Sequence, residues 1–295
     1  MPRTTANDIE LEYEEYGDPA DPAMLLIMGF GAQLTLWPMA LVDALVAHGF
    51  RVIRYDNRDV GLSQKFTGHR PPSPVKQVLL GKIGLRPKVP YTMADMAADG
   101  VGLLDALGIE RAHIVGGSMG GMIAQHIAAK YPGRCLSLTS IFSTTGNPKL
   151  PAARKEALDA LTKRPDSTEE DVLVAHGMML ARTIGSPGYP AEEDELRDRV
   201  TANVRRSVYA EGPTRHLAAV LHDGDRSAML RDITVPTLVL HGEADPLVPV
   251  EGGHDTAAII PGAKLKTIPG WGHDLPEPLT HEIADAIAAH AKGAA

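Results

Sequence analysis

One stretch of the chain sets its architecture: Ala112-His-Ile-Val-Gly-Gly-Ser118-Met-Gly-Gly-Met-Ile-Ala-Gln-His-Ile-Ala-Ala-Lys-Tyr131. A β-branched strand runs into the turn Gly116-Gly-Ser-Met-Gly120, and an alanine-rich helix follows without a linker. A G-x-S-x-G pattern between a strand and a helix is typical of a nucleophile elbow. We therefore predict that Ser118 projects as a nucleophile at the carboxyl end of a sheet. A glycine-rich turn without chemistry and a phosphate-binding loop are the alternatives, although the lysine of a P-loop is absent.

Strands and helices alternate on both sides of this stretch. Further strand patterns occur at Ile9–Tyr13, Ala23–Met28, Phe50–Tyr55, Leu136–Ile141, Val235–His241 and Lys264–Ile268. Thr92 with Asp95 has the spacing of a capping box, which predicts a helix start. Alternating strands and helices favour right-handed βαβ units. The predicted fold class is α/β, with a mostly parallel central sheet flanked by helices.

The alternation stops near Thr145. From Pro151 to about Arg231 the chain has helical patterns broken by prolines and no convincing strand pattern. We predict an α/β core formed by residues 1–145 and 232–295, with a helical lid inserted at 146–231. Residues 64–91 contain five prolines and the apolar run Val78-Leu-Leu80, which predicts a second, irregular insertion.

Composition excludes several classes of protein. The 295 residues include 29 basic and 37 acidic side chains, for a net charge of −8, which argues against a chain-wide nucleic-acid surface. A single cysteine, Cys135, excludes a disulfide framework and a cysteine-rich zinc cluster. The chain lacks an apolar signal region at its start and any apolar run near the ~20 residues of a membrane span. We expect a cytoplasmic protein without a membrane span that acts on a small molecule; its oligomeric state stays open.

A serine hydroxyl is a weak nucleophile until a base activates it and an acid orients that base. In folds with this elbow the chain order is Ser, then Asp or Glu, then His. His273 ends the loop Pro269-Gly-Trp-Gly-His273 directly after a late strand, which makes it the candidate base. The other histidines considered lie in strands, in helices or in the lid: His113, His126, His290, His176, His216 and His222.

The candidate acid lies after the penultimate strand, in His241-Gly-Glu-Ala-Asp245-Pro. Asp245 precedes a proline-rich turn that would direct its carboxylate across the sheet. Glu243 is the rival, and Asp274 is a third candidate next to the base. His241 is interpreted as a support for the acid or as a strand end.

These motifs together resemble the α/β-hydrolase superfamily over nearly the whole chain. Within it, the chain is similar to bacterial carboxylesterases, to lipase-like esterases and to the anthracycline (aclacinomycin) methylesterases. Besides the elbow, the matching pieces are Gly17-Asp-Pro-Ala-Asp-Pro22, Met28-Gly-Phe-Gly31, Tyr55-Asp-Asn-Arg-Asp-Val-Gly-Leu-Ser63, His241–Pro249 and Gly270-Trp-Gly-His273.

The resemblance implies a Ser118–His273–Asp245 triad and an oxyanion hole formed by the backbone N–H groups of Phe30 and Met119. It also implies hydrolysis of a carboxylic ester through an acyl-enzyme on Ser118. The chain has no H-E-x-x-H pattern, so we expect neither a catalytic metal nor another cofactor. Other chemistry on the same triad stays open: methylesterase, lactonase, thioesterase, carbon–carbon hydrolase, acyltransferase and cofactor-free haloperoxidase. A non-catalytic ligand receptor is a further alternative.

Two positions depart from the pattern of many relatives. Met28 stands where they have a histidine, so a loop-ordering hydrogen bond from that imidazole is lost. Asp59 follows Arg58 where they have glycine, and aspartate tolerates a left-handed backbone better than most residues. Arg58 is interpreted as a loop anchor, with a substrate ligand as the alternative. Two apolar sets are candidates for an acyl pocket or for the lid's own core: Val78, Leu79 and Leu80, and Met178, Met179, Leu180 and Ile184.

Overall fold

The computed structural model describes residues 2–81 and 83–294, which form one eight-stranded sheet with helices on both faces. The strands are β1 (Arg3–Ala6), β2 (Ile9–Tyr16), β3 (Ala23–Ile27), β4 (Arg51–Tyr55), β5 (Ala112–Gly117), β6 (Cys135–Ile141), β7 (Thr237–Gly242) and β8 (Lys264–Ile268). Their order is β1-β2-β4-β3-β5-β6-β7-β8. Pairing is antiparallel from β1 to β4 and parallel from there to β8. The predicted α/β fold with a mostly parallel sheet is confirmed.

The helices are α1 (Met39–Ala47), α2 (Pro74–Gly81), α3 (Met93–Ala106), α4 (Met119–Lys130), α5 (Lys155–Thr162), α6 (Glu170–Ile184), α7 (Glu193–Arg206), α8 (Gly212–Asp223), α9 (Ser227–Leu230), α10 (Glu251–Ile259) and α11 (Thr280–Lys292). Helices α3 and α4 cover one face of the sheet, whereas α1 and α11 cover the other.

Strand β3 shows why the sheet needs helices on both faces. Successive side chains of a strand point to opposite faces. Leu25 and Ile27 pack with α3 and α4, whereas Met24 and Leu26 pack with α1 and α11. Every residue of β3 is buried, as expected for a strand inside a covered parallel sheet.

Several local features match the patterns in the sequence, and others differ. The Thr92 hydroxyl accepts from the Asp95 N–H and the Asp95 carboxylate accepts from the Thr92 N–H, so the capping box is confirmed. The last helix starts at Thr280, directly after a turn of 3₁₀ helix that contains Pro278. Strand β1 and helix α1 were not predicted. The insertion at 64–91 is not entirely irregular, since it contains α2.

The chain between β6 and β7 holds five helices, α5 to α9. Helices α6 and α7 have a small core of their own, formed by Val174, Met178 and Leu196. Within residues 2–81 and 83–294, no helix combines the length and the apolar character needed to cross a bilayer.

Candidate active site

Ser118 lies at the sharp turn between β5 and α4. Its φ of 56° and ψ of −121° lie in a region that residues other than glycine seldom occupy. Such a backbone costs on the order of 1–3 kcal/mol and persists only where the surrounding structure holds it in place. Ser118 is half-buried, whereas Gly117 and Met119 on either side are buried. The turn therefore presents the hydroxyl above the sheet at the start of a helix.

The two outer glycines of the elbow are required by close backbone contacts. A Cβ atom on Gly116 would lie 2.1 Å from the carbonyl oxygen of Gly120. A Cβ atom on Gly120 would lie 2.0 Å from the carbonyl oxygen of Ile27 in β3. Both distances are far inside van der Waals contact, so either side chain would force the strand and the helix apart.

The structure brings Ser118, His273 and Asp245 into one chain of hydrogen bonds. His273 Nδ1–H donates to Asp245 Oδ2 over 2.7 Å, and His273 Nε2 lies 2.9 Å from Ser118 Oγ. Because Nδ1 keeps its proton and donates it to the Asp245 carboxylate, the ring has a free electron pair on Nε2 that can accept the serine proton. Asp245 Oδ1 accepts from the N–H groups of Leu247 and Val248, both at 2.8 Å. The carboxylate is thus held by the turn that follows it.

Neither rival carboxylate hydrogen-bonds to the His273 ring. Glu243 accepts from the Thr267 hydroxyl at an exposed position, 2.8 Å away. Asp274 accepts from the Ser186 hydroxyl, and its burial raises the pKa of its carboxyl group.

His241 lies next to Asp245, with its Nε2 3.8 Å from Asp245 Oδ2, and is fully buried. Its Nε2–H donates to the Val248 carbonyl over 2.8 Å, and burial lowers its pKa, so the ring is neutral. His241 therefore supports the turn that positions Asp245. This contact fits its interpretation as a support for that carboxylate.

The loop after β3 passes directly over the serine. A Cβ atom on Gly29 would lie 3.0 Å from Ser118 Cβ. None of the hydrogen bonds within residues 2–81 and 83–294 uses the backbone N–H of Phe30 or of Met119. Two backbone donors close to Ser118 are therefore available to a ligand.

An imidazole from α8 orders this loop. His216 Nδ1 accepts from the Gly31 N–H at 3.2 Å, and its Nε2–H donates to the Arg58 carbonyl at 2.9 Å. His216 is fully buried, and burial lowers its pKa to about 4, so the ring is neutral and can accept. Asn57 adds a second anchor by donating to the Met28 carbonyl over 2.8 Å. The loop lacks a histidine of its own at position 28, yet an imidazole still holds it.

Buried ion pairs hold the run Tyr55–Ser63 beside this loop. Arg58 donates two hydrogen bonds to the Asp99 carboxylate, each 2.6 Å long, which supports its interpretation as an anchor. Asp59 has the left-handed φ of 67° that the sequence suggested. Its carboxylate accepts from Arg215 of α8 at 2.7 and 3.0 Å, and Arg215 holds the pKa of Asp59 below its usual range against the effect of burial.

The loop that bears His273 is attached to the end of α6. The His273 N–H donates to the Ile184 carbonyl over 2.8 Å, and the Gly272 N–H donates to the Ser186 hydroxyl over 2.9 Å. On its other side the His273 ring packs against the ring of Phe142, 4.7 Å between centroids. The sequence alone does not reveal the roles of Ser186, Phe142 and His216, because no local pattern marks these residues.

Two further features bear on chemistry: the thiol of Cys135 and the grouping of metal-ligating side chains. Cys135 is buried in β6, and burial raises its pKa to about 12, so it is no thiolate at neutral pH. Residues 2–81 and 83–294 contain no cluster of three or more His, Cys, Asp or Glu side chains arranged to hold a metal. Met178 belongs to the core between α6 and α7, whereas Val78 and Leu79 are exposed. The position of Met178 therefore fits its interpretation as part of the lid's own core.

Comparison with known proteins identifies relatives along almost the whole chain. A family model described as the alpha/beta hydrolase fold matches residues 22–277. The chain is 31% identical to rhodomycin D methylesterase DnrP of Streptomyces peucetius, over 98% of this chain and 97% of that protein. It is 30% identical to putative carbamate hydrolase RutD of Variovorax paradoxus, over 94% of this chain and 91% of that protein.

Solved structures agree with this family. An enol-lactonase from Burkholderia xenovorans is 25% identical with a TM-score of 0.66, and the match covers 99% of each chain. A meta-cleavage product hydrolase from Pseudomonas fluorescens superposes with a TM-score of 0.77 over 100% and 98% of the two chains, and at 18% identity it shows the fold alone. By fold, elbow and sequence, the chain belongs to the α/β-hydrolase fold family.

Proposed function

We propose that this protein hydrolyses carboxylic esters with Ser118 as the nucleophile, His273 as the base and Asp245 as the acid that orients it. The observation that carries the proposal is the unbroken hydrogen-bond chain from Asp245 to Ser118, with the serine on a strained elbow. Among the relatives, rhodomycin D methylesterase DnrP supports the proposal, because it matches nearly the whole chain.

In the first half of the reaction, Ser118 Oγ attacks the carbonyl carbon of the ester and its proton passes to His273 Nε2. The negative charge that develops on the carbonyl oxygen is met by the N–H groups of Phe30 and Met119. Each such donor contributes about 10²- to 10³-fold to the rate. The positive end of α4 adds to this stabilisation. The tetrahedral intermediate then collapses, and the alcohol leaves with the proton from His273.

In the second half, water gives a proton to His273 and attacks the acyl carbon. Ser118 Oγ leaves, takes the proton back and releases the carboxylic acid. Asp245 stabilises the imidazolium in both halves. No cofactor takes part in either half. In this scheme residues 146–231 act as a lid that supports the two loops beside Ser118, on the core formed by residues 1–145 and 232–295.

Among carboxylic esters we propose a preference for methyl esters. Two relatives named rhodomycin D methylesterase match this chain at 31% identity over 98% of its length. Comparing kcat/KM for methyl and butyl esters of one aromatic acid tests this preference. A higher value for the butyl ester would contradict it and leave ester hydrolysis itself intact.

The nucleophile is tested with a fluorophosphonate, which phosphonylates activated serines. We expect one phosphonyl group per chain, located on Ser118 by peptide mass spectrometry, and parallel loss of p-nitrophenyl acetate turnover. Ser118→Ala should abolish labelling and lower turnover by several orders of magnitude, since the hydroxyl forms the covalent bond.

Ser143→Ala is the matched control, because the Ser143 hydroxyl lies close to the elbow and donates to the Ser118 carbonyl without contacting His273. It should keep full labelling. Complete labelling of Ser118→Ala would contradict the proposal by placing the nucleophile elsewhere. Labelling of the original protein without multiple turnover of any ester would favour a ligand receptor instead.

A further inference from the structure

Helix α2 has its polarity reversed relative to an ordinary surface helix. A helix on a water-facing surface normally turns its apolar side chains toward the core and its polar ones toward solvent. In α2 the polar Gln77 is the buried residue, only 4% exposed. Val75, Val78 and Leu79 face outward with exposed fractions of 69%, 47% and 58%.

The exposed apolar surface continues past the end of the helix. Ile83 is 70% exposed and Leu85 is 55% exposed. We call the group Val75, Val78, Leu79, Ile83 and Leu85 the α2 patch. The described residues contain nine large hydrophobic side chains that are exposed, and five of them belong to this patch. Such clustering of apolar side chains marks an interaction surface, whereas single exposed ones need no explanation.

The segment that carries the patch is strongly basic in an acidic protein. Residues 60–94 contain six Lys and Arg and no Asp or Glu, although the chain has a net charge of −8. Four of these basic residues are exposed close to the patch in sequence: Arg70, Lys76, Arg86 and Lys88. The partner of this surface is therefore expected to be anionic and to accept apolar side chains as well.

The patch is attached to the site through α8. Helix α2 packs against α8, the Arg86 guanidinium donates to the Asp223 carbonyl over 2.9 Å, and His222 Nδ1–H donates to the Pro87 carbonyl over 3.1 Å. The same α8 carries His216, which holds the loop over Ser118. A surface that binds the α2 patch would therefore contact the helix that packs directly on α8.

We propose that the α2 patch docks this protein on the surface of an anionic phospholipid bilayer. Apolar side chains flanked by Lys and Arg are what an interfacial helix presents to acyl chains and to anionic headgroups. A second copy of the chain is disfavoured as the occupant, because a symmetric contact would set the basic residues of the two copies against each other. The proposal goes beyond ester hydrolysis and does not depend on it.

The experiment is sedimentation of the full chain with sucrose-loaded vesicles. One set contains phosphatidylcholine alone, and the other contains equal parts of phosphatidylcholine and phosphatidylglycerol. We expect binding to the anionic vesicles only. Raising NaCl to about 1 M, where the screening length is about 3 Å, should weaken the binding strongly.

Leu79→Glu and Lys76→Glu test the two components of the surface. The first should weaken partitioning at least about tenfold, since a leucine no longer enters the acyl region. The second should weaken it about fivefold or more, the contribution of one basic residue at an anionic leaflet. The matched controls are Leu158→Glu, at a leucine of α5 that is 47% exposed, and Lys130→Glu, at an exposed lysine of α4. Both controls should bind as the original protein does.

Turnover of soluble p-nitrophenyl acetate without vesicles should be unchanged in all four variants, which separates this proposal from the ester-hydrolase proposal. Failure of the original protein to bind anionic vesicles would overturn the docking proposal. Equal weakening by Leu158→Glu would overturn it too. So would a concentration-dependent dimer in size-exclusion chromatography that Leu79→Glu abolishes, because the patch would then join two copies.

Discussion

The most specific chemical prediction concerns Asp245, whose carboxylate accepts from the His273 ring. Asp245→Asn keeps the shape of the side chain but removes its charge, so the His273 ring can hold its proton on Nε2 and then has no free electron pair there for the Ser118 proton. In serine proteases the corresponding change costs about 10⁴-fold in kcat. We expect a loss of the same order here, with the fold intact. The measurement is kcat for a p-nitrophenyl ester, with circular dichroism to check folding.

Glu243→Gln provides the control for that prediction. Glu243 lies two residues earlier on the same turn and accepts from the Thr267 hydroxyl. Its amide should leave kcat close to that of the original protein, because the Glu243 side chain is exposed and does not hydrogen-bond to His273. A crippled Glu243→Gln beside a near-normal Asp245→Asn would make Glu243 the orienting acid.

A glycine of the elbow makes a prediction about stability. Gly120→Ala would place a methyl group 2.0 Å from the Ile27 carbonyl, so β3 and α4 would have to separate. We expect a loss of about 3 kcal/mol or more in the free energy of unfolding, at the upper end for overpacked sites. Gly133→Ala is the control, since no atom lies within 4 Å of its added Cβ. The measurement is the midpoint of urea unfolding for both variants. Equal midpoints for Gly120→Ala and Gly133→Ala would show that the elbow does not need its glycine at position 120.

Between elements, the contacts of α6 and α8 determine the geometry of the site. Helix α8 holds the loop over Ser118 through His216, and α6 ends where Ile184 holds the His273 loop. The five-helix insertion is therefore in direct contact with two of the loops that surround the serine. Loosening either contact should change catalysis before it changes the fold.

His216→Ala tests the contact of α8. It removes the acceptor of the Gly31 N–H and so releases the loop that carries the neighbouring Phe30 amide. Misplacing a donor by about 1 Å can cost up to about 10²-fold in rate. We expect kcat to fall between about tenfold and 10²-fold, with KM nearly unchanged, because the donors act mainly on the transition state. Steady-state kinetics on p-nitrophenyl acetate provide the readout.

His222→Ala is the matched control, because His222 lies on the same helix and bonds to Pro87 instead of the loop. It should keep its kcat. If both variants lose activity equally, α8 acts through general stability and His216 has no positioning role.

The sequence predicted the fold and the residues that stand at strand ends, for a physical reason. Ser118, Asp245 and His273 each follow a strand, and parallel strands bring their carboxyl ends to one edge of the sheet. Local spacing was therefore enough to propose that they meet. The rings and hydroxyls that support them could not be found in this way. His216 is 185 residues away from Gly31 along the chain, and their contact depends on how α8 packs on the core.

Helix α2 shows a different limit of the sequence. Its apolar run, Val78 to Leu80, has the composition of a buried segment or a pocket wall. The structure exposes Val78 and Leu79 and buries Gln77. Composition cannot indicate which way a short helix turns when its neighbours, such as α8, come from a distant part of the chain.

Across the entire domain, two buried histidines couple stability to pH. Burial lowers the pKa of His113 and of His216 to about 4 from the ordinary 6.5. His113 lies near the start of β5 beside Ser137 and Phe50, whereas Ser118 follows the end of that strand. In the unfolded chain both rings bind a proton near pH 6.5. In the folded chain neither ring binds a proton until the pH falls close to 4.

The direction in which stability changes with pH follows from proton uptake. Between pH 6.5 and 4 the unfolded state holds more protons, so the free energy of unfolding falls as pH falls. Above pH 6.5 neither histidine lowers the free energy of unfolding. By pH 4 each of them has lowered it by about 3 kcal/mol, at 1.36 kcal/mol per pKa unit. Since a domain of this kind is stable by about 5–15 kcal/mol, these two groups alone take away a large share of its stability.

His113→Asn separates this titration from the chemistry of the site. Asparagine keeps a polar group near Ser137 and cannot be protonated in this range. The variant should lose some stability at pH 7, because the packing of the ring on Phe50 is lost. Its unfolding free energy should then fall less steeply between pH 6.5 and 4, by about 1.4 kcal/mol per pH unit at most. Urea titrations at several pH values measure this slope, with His281→Gln, at an exposed histidine of α11, as the control. An unchanged slope in His113→Asn would show that this ring is not held neutral by burial, and acid sensitivity would then have to come from other groups.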